Sequence, residues 1–138
     1  MQGDGFKDDG VVQQFATGAT RSSDEGKNHY EGFLSVPALE EFGDYMRRHQ
    51  RQADGSLRAA DNWQKGMPIA SYLGSLFRHT IELVGLSRGY VSRRLRREFP
   101  GVTDLSFLKL ETACAIWFNV QGFIHESVRE GTPHKDNA

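Results

Sequence analysis

Three carboxylates, Glu40, Glu41 and Asp44, stand one, three and four residues apart. On a helix this spacing projects all three from one face. Two chemistries fit such a face. It can be a solvated surface that complements the positive end of the helix dipole. Less commonly, such a face holds Mg²⁺ or Mn²⁺, hard ions that take several carboxylate oxygens. Further along, Glu111, Asn119 and His125 are threaded through a long apolar stretch. Polar groups held among apolar neighbours need partners, either structural or from a ligand. A second set of residues suits an anionic, planar ligand. Lys27 follows Gly26, a pairing that can bring backbone N–H groups and an ammonium to a phosphate, although an ordinary loop is its usual role. Asn62, Trp63 and Lys65 together offer hydrogen bonding, stacking and a phosphate contact, although Trp63 can also plug the core. Arg78 and Glu82 have the spacing of a surface ion pair, and His79 sits at the edge of an apolar face, where a structural role is the usual one.

The elements that must position these residues are helices. Residues 105–129 carry apolar side chains on two flanks, one with Leu105, Leu108, Ala115, Ile116 and Phe123, the other with Leu110, Cys114, Trp117, Val120, Ile124 and Val128. A helix of this kind, roughly 38 Å long at 1.5 Å per residue, requires neighbours all round. Asp104 or Thr103 can cap its start, and Gly131 before Pro133 supplies a stop. An earlier helix is expected from Val36 to His49, with Ser35 as N-cap, Pro37 in the first turn and Leu39, Phe42 and Met46 at helical spacing. Another runs from Pro68 to about Val84, with Ile69, Tyr72, Leu73, Leu76, Phe77 and Leu83 on a broad apolar face. Between these two, residues 52–67 read as a long loop with reversals at Asp54-Gly55 and Lys65-Gly66, and long loops in small domains are often binding loops. Five arginines between Arg88 and Arg97 alternate with Val91, Leu95 and Phe99. That segment reads as a short amphipathic helix with a solvated basic face, with a phosphate site, an oligomer contact or a nucleic-acid patch as alternatives.

A chain of 138 residues with 38% hydrophobic content is sized for one domain. The formal charge of −1 argues against a generally basic nucleic-acid binder. The single Cys114 excludes an intrachain disulfide framework and suits a reducing, cytoplasmic setting. No apolar run approaches the ~20 residues of a membrane span, and the residues MQGDGFKDD lack the basic-then-apolar pattern of a secretion signal. The glycine-rich residues 1–22 are expected to be a mobile tail, followed by one helical domain over 23–131 and a C-terminal tail over 132–138.

Several of these stretches together resemble the phage and bacterial dATP/dGTP diphosphohydrolase N-terminal domain family, itself similar to the MazG-type all-α nucleotide pyrophosphatases. The resemblance rests on Gly26-Lys27 with Tyr30, Ala38-Leu39-Glu40, Asp61 to Gly66 with Pro68, Arg78-His79, and Glu111 with Asn119 and His125. It covers about residues 20 to 130. Its most specific piece is Asn62-Trp63-x-Lys65-Gly66 followed by Arg78-His79. Glu40-Glu41-x-x-Asp44 looks like one half of the MazG metal motif, with Glu111 and Glu82 standing in for the other half. Met46 and Glu111-Thr112 replace an acidic residue and an Asp-His pair common in relatives.

The resemblance implies a small all-α, MazG-like bundle that hydrolyses dATP or dGTP to monophosphate and pyrophosphate with Mg²⁺ or Mn²⁺, as a homo-oligomer in the cytoplasm, that of the host if the chain is phage-encoded. In that reading Glu40, Glu41, Asp44 and Glu111 hold metal, and Glu40, Glu111 and His79 are catalytic. Lys27, Asn62, Trp63, Lys65, Arg78 and Asn119 hold the purine deoxynucleotide. The alternative is a non-catalytic protein that keeps the pocket and sequesters a nucleotide. A third reading is an interaction module built on Arg88 to Arg97.

Overall fold

The computed structural model describes residues 12–131. The chain forms two compact units, Met1–Ser35 and Val36–Ala138. In the first, strands β1 (Val12–Gln14) and β2 (Thr20–Ser22) pair antiparallel, Val12 opposite Ser22 and Gln14 opposite Thr20. A one-turn helix, α1 (Tyr30–Phe33), follows. Of the two expected tails, residues 1–11 and 132–138 lie outside the described residues. The remainder, residues 12–22, makes the hairpin.

The second unit is all-α. Helix α2 spans Val36–Gln50, within one residue of the expected range. Helix α3 spans Ile69–Ser87, opened by Pro68 in an extended conformation that presets the first turn. Helix α4 is Arg93–Glu98, and α5 is Leu105–Gly131. Asp104 caps α5, its Oδ1 accepting hydrogen bonds from the backbone N–H groups of Ser106 (3.0 Å) and Phe107 (3.4 Å). The arginine segment is a helix for a local reason too: the Ser92 hydroxyl oxygen accepts from Leu95 N–H at its N-terminus. The segment between α2 and α3 is more ordered than a plain loop. Arg51 bridges Leu57 across the Asp54-Gly55 reversal, and Asn62–Lys65 form a 3₁₀ turn. No described helix is long and apolar enough to cross a membrane.

Helices α3 and α5 run antiparallel, with Tyr72 against Gly122 at one end and Leu86 against Leu108 at the other. Gly122 is required there, because a Cβ at that position would lie 2.1 Å from the Tyr72 ring. Two apolar clusters result. Leu86, Leu95 and Leu108 join α3, α4 and α5, flanked by Val91, Phe99, Leu105 and Phe107. Tyr45, Cys114 and Ala115 join α2 and α5, flanked by Phe42, Met46 and Phe118. Helix α5 is covered on one flank, and on the other only around Cys114 and Trp117, where α2 packs. Leu110, Val120 and Ile124 on the other flank are exposed, so the neighbours it requires all round are not supplied by these helices.

Candidate functional site

The site is built where α2, α4 and the 3₁₀ turn meet the buried faces of α3 and α5. Two glutamates are buried there, and each is held by an arginine and a histidine. Glu111 on α5 is 5% exposed. Its Oε2 accepts from Arg48 Nη2 and its Oε1 from His49 Nε2, each at 2.7 Å. Glu82 on α3 is 6% exposed. It accepts from Arg94 Nε (2.7 Å) and Nη2 (3.0 Å), Ser92 Oγ (3.0 Å) and His79 Nδ1 (2.8 Å). Burial raises the pKa of both carboxyls. The surrounding donors outweigh that, so both are held below the ordinary carboxylate value.

Glu111, His49, His79 and Arg94 line one cavity of about 30 Å³ together with Tyr45, Glu98, Thr112 and Ala115. That is room for one or two water molecules. Among the described residues the Thr112 Oγ1 hydroxyl has no hydrogen-bond partner. Burial, with the charge of Glu111 next in size, pushes the Tyr45 phenol up to about 12, and the same two causes push the Cys114 thiol up. Both groups stay protonated near neutral pH, and Cys114 is a buried, free thiol.

Beside this cluster lies a cavity of about 180 Å³ lined by Tyr45, Met46, His49, Gln50, Arg58, Ala59, Ala60, Asn62, Trp63 and Phe118. Trp63 is fixed edge-on to His125 (4.9 Å) and Phe118 (6.3 Å) on α5. The 3₁₀ turn that carries it is tied down by Arg129, whose Nη1 donates to the Gln64 carbonyl at 3.0 Å. Arg58 makes one long contact, Nη1 to the His49 carbonyl at 3.4 Å, and no ion pair among the described residues. The pocket therefore combines aromatic walls, side-chain amides and a guanidinium with no carboxylate partner among the described residues.

The sequence-derived residues separate on this frame. Asn62 and Trp63 meet in the cavity of about 180 Å³, and Glu111 and His79 meet in that of about 30 Å³. Asn119 is buried, but its Nδ2 donates to the Ala115 carbonyl of its own helix at 2.7 Å. Lys65 is exposed at the end of the 3₁₀ turn. Arg78 does not pair with Glu82. It is exposed and donates to Ser75 Oγ at 2.9 Å, while Glu82 turns inward to Arg94 and His79, partners better shielded from water than a surface arginine. Glu40, Glu41 and Asp44 are exposed on α2, with Asp44 facing Arg47 at 3.4 Å. Among the described residues no three His, Cys, Asp or Glu side chains come together as a metal site. Lys27 belongs to the first unit, where its N–H closes a turn onto the Asp24 carbonyl beside Gly26 at φ 79°.

Four residues escape the sequence reading: Arg48, His49, Arg58 and Arg94. The available signal was the charge balance of the apolar helix. Glu111, set midway along an apolar helix, demands a cation, and Arg48 and His49 follow Tyr45 by three and four residues on its face of α2. Compared with family models, with curated proteins and with solved structures, the chain gives no match.

Proposed function

We propose that the helical unit binds a nucleotide, inserting the base into the pocket of Trp63 and Asn62, and holds it without hydrolysing it. The observation that carries this is the pairing of an aromatic, amide-lined pocket next to Arg58 with a neighbouring Glu111 whose two oxygens are already taken. Flat aromatic walls suit a base ring, and the amide of Asn62 matches its polar edge, while the Gln50 amide donates to the Arg58 carbonyl. At about 180 Å³ the cavity admits a base and leaves sugar and phosphates outside. Arg58 at the pocket and Lys65 on the 3₁₀ turn are the cations available to a phosphate there. The choice of purine and deoxyribose rests on the resemblance over about residues 20–130, and a cytoplasmic setting on the single Cys114.

The donor set bears on hydrolysis. A divalent ion at Glu111 would have to displace Arg48 and His49, and one at Glu82 would have to displace Arg94, Ser92 and His79. In this arrangement the two buried carboxylates do not fit Mg²⁺ or Mn²⁺. The test is calorimetric titration with dGTP and dATP in EDTA, followed by product chromatography with Mg²⁺ and then Mn²⁺. Binding in EDTA with no pyrophosphate under any condition is expected. Metal-dependent release of pyrophosphate that Glu111→Gln abolishes would replace this proposal with the hydrolase.

A further inference from the structure

Residues 88–97, at the corner between α3 and α4, hold five arginines, no lysine and no carboxylate, so a chain of net charge −1 carries +5 here and −6 elsewhere. Only Arg94 is neutralised, by Glu82 and Glu98. Arg88, Arg93, Arg96 and Arg97 are exposed and have no carboxylate partner among the described residues. At 100° per residue, Arg96, Arg93 and Arg97 fall within about 100° of the α4 circumference, opposite the arc between Glu98 and the buried Leu95. Like charges this close repel one another, a cost that a bound polyanion removes.

The backbone of the corner is fixed. Gly89, at φ 80°, closes α3, and the Tyr90 N–H donates back to the Gly85 carbonyl at 2.8 Å. A Cβ at position 85 would lie 3.2 Å from the Tyr90 carbonyl oxygen and 3.5 Å from its ring, so glycine there lets Tyr90 lie against α3. Tyr90 is still 54% exposed. Arg96 sits over its ring, Cζ 5.5 Å from the centroid, while Nη2 donates to the Tyr90 hydroxyl at 3.2 Å. An aromatic ring and a guanidinium plane thus stand ready beside arginines that lack partners.

We infer that this corner binds a single strand of nucleic acid, with Arg88, Arg93 and Arg97 on its phosphates and an unpaired base stacked on Tyr90 and Arg96. Two observations select this ligand among polyanions. The cations are all arginine, whose planar fork pairs bidentately with phosphate and whose plane stacks on rings. The exposed Tyr90 ring offers a surface for the face of a base, which an acidic peptide lacks and which a duplex keeps stacked between neighbouring pairs. None of these residues lines the nucleotide pocket, so the inference stands apart from the proposed function.

The experiment is fluorescence anisotropy of the full chain with labelled oligothymidylate and oligouridylate of about 12 nucleotides, within the usual range for one such site. Uptake of either strand is expected, tighter than uptake of a duplex of the same length. Three phosphate contacts should give log K against log salt a slope of about −2, and Arg93→Gln with Arg97→Gln should bring it to about −0.7. Tyr90→Ala should weaken strand binding at least about fivefold with the slope unchanged, and Tyr90→Phe should bind like the wild type. Circular dichroism checks that each variant is folded. No uptake at low salt would overturn the inference, as would a folded arginine variant or Tyr90→Ala that binds the strand like the wild type. So would a duplex that binds as tightly, polyglutamate that displaces the strand as readily as unlabelled oligothymidylate, or excess dGTP that displaces it, which would move the strand to the nucleotide pocket.

Discussion

Glu82 and Glu111 share their chemistry with Glu40, Glu41 and Asp44, and the fold treats the two groups in opposite ways. The first two are almost fully buried, and each satisfies its charge with an arginine and a histidine from other positions. The other three remain on the solvent side of α2, where Asp44 has only an exposed arginine one turn away. Spacing marks Glu40, Glu41 and Asp44 as a cluster, while burial makes Glu82 and Glu111 matter. A carboxylate in water costs nothing to keep and little to lose. A buried one costs several kcal/mol to desolvate, so its partners become part of the fold.

The largest break in this contrast comes from removing a buried carboxylate. Glu82→Ala takes the carboxylate from His79 and leaves Arg94 with only Glu98, and should lower the unfolding free energy by roughly 3 kcal/mol, read from urea denaturation. Glu40→Ala should leave the midpoint where it was. Equal losses at the two positions would erase the distinction. Next in size is Gly122→Ala. Its methyl group would enter the Tyr72 ring and force α3 and α5 apart, at a cost of about 1–3 kcal/mol. A neutral result would show that the two helices are not packed as closely as described.

Acid should act on the same contrast from the other side. The carboxyls of Glu82 and Glu111 are held below their ordinary value of 4.5 in the folded chain. A lowered folded-state pKa contributes stability that is present above the unfolded value and lost as pH falls through the folded one. Stability should therefore decline below about pH 4.5, and Glu82→Gln should flatten part of that decline. An unchanged slope in the variant would remove Glu82 from the acid response. The smallest effect is expected at the exposed arginines. Arg93→Gln with Arg97→Gln should leave stability unchanged within about 0.5 kcal/mol, whereas Arg94→Gln, one residue away, should destabilise clearly. Thermal melts of the three proteins decide this.

The helices are largely legible in the sequence because their signals are local. Pro68, Ser92, Asp104 and the 3.6-residue apolar period of α2 and α3 each act within a turn or two of where they stand. The site is legible only in part. Asn62 and Trp63 are marked by residue type and both line the pocket, and Glu111 is marked as a polar group needing partners. Which partners it takes depends on the α2–α5 packing, a contact across more than 60 residues that no periodicity encodes. The same holds for Glu82, which spacing pairs with Arg78 but which the fold gives to Arg94 once α4 packs back on α3. Five arginines in one segment are indistinguishable by type. The packing of Leu95 turns α4 so that Arg94 alone reaches Glu82.

The central claim is that the pocket of Trp63, Asn62 and Arg58 holds a nucleotide, and calorimetry of the wild type against Trp63→Ala and Arg58→Gln tests it most directly. With dGTP in EDTA, Trp63→Ala should weaken binding at least about tenfold, as loss of one stacked base contact worth roughly 1–3 kcal/mol requires. Arg58→Gln should weaken dGTP binding more than deoxyguanosine binding, since only the former carries phosphates. If the wild type takes up no deoxynucleotide, or if both variants bind dGTP as tightly as the wild type, the pocket is not the nucleotide site.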